Sequence, residues 1–269
     1  MITFPNCKIN LGLHILRKRD DGYHDLDTFF YPVGLCDILE IIHSPSASIE
    51  FVCTGLPFSS ESTNLCVLAF HVMKKDFPSI GGIQMHLHKV IPIGSGLGGG
   101  SADAAFVITM MNKLFDLQLT KNQMLEYASQ LGSDCAFFMI NRPAYASGRG
   151  ELLSRSMIDL SSYKIVLVNP GIMISTSWAF SKVEPAVPEV LVQDILQQSI
   201  AHWKKQLKND FEFPVFAEYP MIKEIKEDLY RQGALYASLS GSGSTVFGIF
   251  EKEASINARN WKDYFYKVI

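Results

Sequence analysis

Apolar and polar positions alternate strictly from Cys7 to Leu16, with Ile9, Leu11, Leu13 and Ile15 on one side and Lys8, Asn10, Gly12 and His14 on the other. A period of two predicts a strand with one buried face. Periodicity alone does not say whether the polar face meets water or a ligand. Residues 17–24 (R-K-R-D-D-G-Y-H) predict a turn, with Asp21-Gly22 as its hairpin signal. β-Rich runs follow at 28–33, 38–42 and 49–52, then Leu65, Leu68, Ala69, Val72 and Met73 recur at helical spacing within 64–77. Ile83, Met85 and Leu87 alternate with Gln84, His86 and His88 in a strand that enters I-P-I-G-S-G-L-G-G-G-S-A-D-A-A, residues 91–105.

A helix is expected to start near Ser101 and, being apolar nearly all round to Phe115, to be buried. The next spans 121–131 and stops at Gly132, and local rules make Asp134 the N-cap of the apolar run 135–140. Turns around short strands fill 143–153, and a buried strand occupies 163–168. Helices at 188–198, 200–208 and 220–232, strands at 234–239 and 245–250, and a closing helix at 254–266 complete the pattern. The alternation lacks βαβ regularity, which predicts the α+β class with mixed or antiparallel sheets. The pattern starts afresh at 150–160, so the expected domains are 1–155 and 156–269.

Composition narrows the function. Of 269 residues 48% are apolar and 19% charged, enough for a large core and against disorder. A net charge of −3 gives no polyelectrolyte footprint, so no nucleic-acid partner is expected. No run approaches the roughly 20 apolar residues that span a bilayer, and the N-terminus lacks a signal-peptide order, so no membrane partner is expected. The five cysteines are scattered, odd in number and never spaced C-x-x-C, which points to core thiols and a reducing, cytoplasmic location.

The chemistry concentrates in the glycine stretch. Glycines let backbone N–H groups converge, and the helix that follows adds its own unpartnered N–H groups and dipole, which together make a phosphate cradle. A Walker A loop is excluded because Gly100, not lysine, precedes Ser101. Residues 94–99 satisfy G-x-G-x-x-G, but the acidic strand end of a dinucleotide fold about 20 residues on is missing. The H-R-D and D-F-G sets of protein kinases are absent too. His86 and His88 lack a third ligand, so they read as a wet strand face.

With a second glycine stretch, L-S-G-S-G-S at 239–244, the loop resembles the GHMP kinase superfamily of galactokinase, homoserine kinase, mevalonate kinase and phosphomevalonate kinase. K-I-N-L-G-L at 8–13, D-G-Y-H at 21–24, L-G-S-D at 131–134 and N-P-G at 169–171 carry the same resemblance in order. D-G-Y-H matches the branch whose acceptor is a cytidine diphosphate-linked methylerythritol. The resemblance implies a two-domain fold, ribosomal protein S5 domain 2-like at the N-terminus and ferredoxin-like at the C-terminus. It also implies transfer of the γ-phosphoryl group of ATP to a hydroxyl, with Lys8 and Asp134 as the catalytic pair. Pro92, Ile93, Gly94, Ser95, Gly96, Leu97, Gly98, Gly99, Gly100, Ser101 and Ala102 would hold the ATP phosphates, with Asn64 and Lys89 near the adenine. Asn10 fits the substrate hydroxyls, Tyr23, His24 and Phe180 the cytosine. Gly241, Ser242 and Gly243 would close on the diphosphate or support the first loop. ATP implies Mg²⁺ without an assured protein ligand; Asp103 is a candidate, although charge complementarity at a helix N-terminus explains it equally. Asn169 departs from the histidine common before Pro-Gly. A homoserine- or mevalonate-type kinase and a non-catalytic nucleotide-binding module are the alternatives, and the chain could be a monomer or a homodimer.

Overall fold

The computed structural model describes residues 1–57 and 64–269. In chain order it forms β1 (Ile2–Thr3), β2 (Asn6–Lys18), β3 (His24–Cys36), β4 (Ile38–Ser44), β5 (Ile49–Gly55), α1 (Leu65–Asp76), β6 (Gly82–Lys89) and α2 (Gly99–Leu114). Next come α3 (Lys121–Leu131), α4 (Ser133–Ile140), β7 (Ala144–Ser147), β8 (Leu152–Arg155), β9 (Tyr163–Asn169), α5 (Thr176–Ser181) and α6 (Val192–Leu196). The chain closes with α7 (Ile200–Gln206), α8 (Glu212–Glu218), α9 (Pro220–Arg231), β10 (Tyr236–Leu239), β11 (Val246–Glu251) and β12 (Phe265–Val268). Contacts group these elements into two compact units.

The first unit holds residues 1–7, 34–93 and 98–142. Its sheet has the order β1-β4-β6-β5, antiparallel except for the parallel pair β5 and β6. Leu39 and Ile41 of β4 and Ile83, Met85 and Leu87 of β6 face the core that α1 and α2 cover with Phe70, Met73, Val107, Ile108 and Met111. Each such side chain contributes about 1.5–3 kcal/mol on full burial. The alternate residues of β6 face outward, where Thr54 Oγ1 lies 2.9 Å from His86 Nε2 and 3.0 Å from His88 Nδ1. Thr120 and Gln123 form a capping box that starts α3.

The second unit holds residues 8–33, 94–97 and 143–269. One sheet has the order β2-β3-β7-β8, the other the antiparallel order β10-β11-β9-β12. Ile222, Ile225 and Leu229 lie on one face of α9 and pack with Val166, Val168, Val246 and Phe250 of the second sheet. Because β3 pairs with β7, residues 8–33 fold with the C-terminal part of the chain. The expected boundary between 155 and 156 therefore lies inside this unit.

The polar side of β2, left open between water and a ligand, is buried: Lys8, Asn10 and His14 are only 3%, 2% and 7% exposed. Several expectations need correction. The closing helix at 254–266 is a single 3₁₀ turn, Ala258–Trp261, followed by β12. β9 offered an unpaired edge, and pairing Phe265 opposite Asn169 outweighs a local helical pattern. The helix expected at 188–198 shrinks to α6, and α5 and α8 were not anticipated. Gly132, not Asp134, is the N-cap of α4; Asp134 sits in its first turn. Helix α2 begins at Gly99 rather than Ser101.

Candidate functional site

In the second unit the two glycine stretches are joined by hydrogen bonds. Ser240 Oγ donates to the Gly96 carbonyl at 2.9 Å, and Thr245 N–H donates to the Ser95 carbonyl at 3.1 Å. Gly96 has φ +78°, and a Cβ there would lie 1.9 Å from the Ser240 carbonyl oxygen. Only glycine allows this approach. The other end of 94–97 is tied to β2, where Lys8 N–H donates to the Leu97 carbonyl at 3.0 Å. Behind the second stretch, buried Asn209 donates through Nδ2 to the carbonyls of Leu239 and Gly241 at 2.8 and 2.9 Å. Asn169 Nδ2 reaches Ser244 Oγ at 3.2 Å and Thr245 Oγ1 at 3.0 Å. Residues 240–245 thus support the first loop, and the asparagine that departs from histidine at 169 is part of that support.

Lys8 and Asn10 project from the same face of β2 because they are two residues apart. Lys8 Nζ donates to Asn10 Oδ1 at 2.6 Å and lies 4.7 Å from the Phe30 ring centre. Asn10 Nδ2 donates to Thr28 Oγ1 at 2.9 Å, and that hydroxyl donates to the Gly12 carbonyl at 2.6 Å. The lysine is therefore oriented by a chain of buried groups. A Cβ on Gly241 would lie 3.6 Å from Asn10 Oδ1, so the second stretch borders this pair. Ser242 Oγ lies 3.4 Å from Thr176 Oγ1, and Gly243 packs beside Leu239 and Ile174. His24 stacks on Phe180, with centroids 4.7 Å apart and planes at 15°. Rings that close leave no gap for a third, so a base would meet an outer face. Burial first and Lys18 second lower the His24 pKa from 6.5, which favours the neutral imidazole. Tyr23 is 55% exposed, with the Arg149 guanidinium 4.7 Å from its ring centre.

In the first unit three adjacent glycines meet different demands. Gly98 is the αL N-cap of α2, at φ +70°, and provides no side-chain acceptor to the first-turn N–H groups. Gly99 is required by packing, since a Cβ would lie 2.9 Å from Ile91 Cγ2 and 3.3 Å from Lys89 Nζ. Gly100 is exposed, and a Cβ there would meet nothing within 4 Å. Pro92 and Ile93 are half-buried, while Ala102 is buried and its N–H closes the first turn on the Gly98 carbonyl at 2.9 Å. Ser101 bonds Cys135 in α4, next to half-buried Asp134. Asn64 caps α1 by accepting from Cys66 N–H at 2.8 Å.

Lys89 Nζ lies between two buried carboxylates, 2.5 Å from Asp37 Oδ2 and 2.8 Å from Asp103 Oδ2. Burial, with Asp37 adding to it, raises the Asp103 pKa although Lys89 opposes the rise. Asp103 Oδ2 is engaged by Lys89, while its Oδ1 is buried without a hydrogen-bond partner among the described residues. Among the described residues no three metal-ligating side chains converge.

The family model for the GHMP kinases N terminal domain matches residues 64–142, and that for GHMP kinases C terminal matches 191–267. The 4-diphosphocytidyl-2-C-methyl-D-erythritol kinase of Bacteroides thetaiotaomicron is 47% identical over 97% of this chain and 96% of its own length. The chain belongs to the 4-diphosphocytidyl-2-C-methyl-D-erythritol kinase family. A crystal structure of 4-(cytidine 5'-diphospho)-2C-methyl-D-erythritol kinase superposes with a TM-score of 0.84 at 30% identity, covering 100% of this chain and 98% of the other. The Methanococcus jannaschii mevalonate kinase, at TM-score 0.74 and 14% identity over 100% of this chain and 97% of its own, shares the fold alone. Both comparisons agree with an α+β GHMP kinase fold. Within this family member, sequence reasoning missed Thr28, Asp37 and Asn209. Each is a lone polar residue with partners distant in sequence, and the available signal was a polar residue inside or beside an apolar run.

Proposed function

We propose that Lys8 and Asp134 carry the kinase chemistry of this chain. The reaction follows from family membership, the observation that carries the conclusion: the γ-phosphoryl group of ATP passes to the 2-hydroxyl of 4-diphosphocytidyl-2-C-methyl-D-erythritol, giving the 2-phosphate and ADP. This is a step of non-mevalonate isoprenoid synthesis. In a loose phosphoryl-transfer transition state, positioning and charge stabilisation supply most of the catalysis. Asp134 takes the proton of the attacking hydroxyl, and the Lys8 ammonium stabilises charge on the attacking oxygen and the transferring group. The bond of Lys8 to Asn10 supports a role for Asn10 in aiming that ammonium.

Residues 92–102 hold the ATP phosphates, with Asn64 and the backbone at Lys89 bordering the adenine end. The glycine φ values and the N-cap of α2 without a side-chain acceptor support this reading. Tyr23, His24 and Phe180 take the cytosine, and Gly241, Ser242 and Gly243 the diphosphate end. ATP implies Mg²⁺, which when bound would offset the charge of the phosphates. No helix among the described residues is long and apolar enough to cross a membrane, and we place the enzyme in the cytoplasm as a monomer or homodimer. Asp134→Asn tests the assignment: kcat should fall about 10²–10⁴-fold with both KM values nearly unchanged. Wild-type kcat in that variant would remove Asp134 from the mechanism.

A further inference from the structure

Among the described residues of the first unit, Asp37, Lys89 and Asp103 are the most thoroughly enclosed charges, with side chains 0%, 3% and 2% exposed. Two carboxylates around one ammonium are costly to bury, so the arrangement asks for a purpose beyond stability. Its connections follow the glycine loop. Asp37 Oδ1 accepts from Val90 N–H at 2.6 Å and Ile91 N–H at 2.9 Å, the two residues that lead into Pro92. Asp103 lies in the part of α2 that leaves the loop. Lys89 links the two carboxylates, and its own carbonyl accepts from Leu56 N–H at 2.9 Å. Gly99 is held to glycine by Ile91 and by the Lys89 ammonium itself. Entry and exit of the loop are thus bracketed by one ion cluster, beside Cys66 of α1, whose thiol is pushed up by burial and by Asp103.

We infer that Asp37, Lys89 and Asp103 are positioning residues that fix the nucleotide loop, the Lys89 ammonium acting on the loop and not on the nucleotide. This rests on the reading that residues 92–102 hold ATP. Both carboxylates already take the lysine's charge, and only 3% of its side chain is accessible. A group so enclosed transmits geometry through Val90, Ile91 and α2.

Removing the cation alone leaves two buried carboxylates facing each other. Lys89→Met should lower the melting temperature and raise KM for ATP about tenfold, with kcat and acceptor KM within about twofold. In Lys89→Met/Asp103→Asn the surplus charge is gone, and the introduced amide can donate to Asp37 Oδ2. Melting temperature and ATP KM should both return most of the way to wild type. Recovery of stability with ATP KM still raised would place the ammonium on the nucleotide and overturn the inference. A wild-type ATP KM in the single variant would overturn it as well. Should the single variant not fold, the double variant set against wild type gives the same decision. Gly100→Ala separates the underlying reading: if it leaves ATP KM unchanged, the loop does not hold ATP and the inference falls with it.

Discussion

Gly100→Ala makes stability and activity move in opposite directions. A Cβ at this position meets no protein atom within 4 Å, and the residue is the second of α2. Alanine favours helix over glycine by up to about 1 kcal/mol, partly by reducing the freedom of the unfolded chain. Chains of this size gain about 2–4 °C in melting temperature per kcal/mol. The folded protein gives no reason for a glycine here, whereas Gly98 needs positive φ and Gly99 lacks room. If phosphate oxygens approach the α2 N-terminus, the added methyl intrudes on them alone, at about 1–3 kcal/mol. KM for ATP should then rise about 5–150-fold while the melting temperature rises slightly and acceptor KM stays put. Thermal denaturation and steady-state kinetics on the same preparation read both. A stabilised variant with unchanged ATP KM would refute the assignment of this turn to the phosphates.

Gly96→Ala should behave oppositely, losing about 3 kcal/mol to positive-φ strain and to the broken loop contacts, with kcat/KM for both substrates falling. Gly233→Ala, also at positive φ but meeting nothing within 4 Å, is the control and should cost only about 1 kcal/mol without loss of activity. His24 contributes through a depressed pKa. The folded chain binds this proton more weakly, so the contribution is present above pH 6.5 and lost as pH falls through the lowered value. His24→Gln should flatten that part of the melting temperature's pH profile, and an unchanged profile would contradict the cause given. Thiol titration of the native protein should modify Cys36 and Cys53 first, since Cys7 and Cys135 are buried with pKa pushed up to about 12. Rapid labelling of either before unfolding would refute that.

How far the sequence reaches is clear from particular elements. Helix α3 was legible to the residue because Thr120, Gln123 and Gly132 mark its ends locally. The strand β2 was legible, yet the burial of Lys8 and Asn10 was not, because it depends on Thr28, Phe30 and Gly241, brought in from elsewhere in the chain. β12 was misread as helix because its partner β9 lies about a hundred residues away, and cross-strand pairing leaves no local trace. Residues 8–33 join the second unit through β7, which no composition change announces. The glycine loop pointed to phosphate binding at once, but the different demands on Gly98, Gly99 and Gly100 needed coordinates. Asp37, an isolated acid between two strands, gave no hint of its ties to Lys89 and Val90, 52 and 53 residues on.

The central claim is tested most directly by following the phosphate. The chain incubated with γ-labelled ATP and 4-diphosphocytidyl-2-C-methyl-D-erythritol, and analysed by phosphorus NMR, should yield one ADP per new phosphomonoester at the 2-position, with the cytidine diphosphate link intact. Lys8→Ala and Asp134→Asn should each suppress that signal. An unchanged acceptor, or label passing equally well to homoserine or mevalonate, would contradict the account.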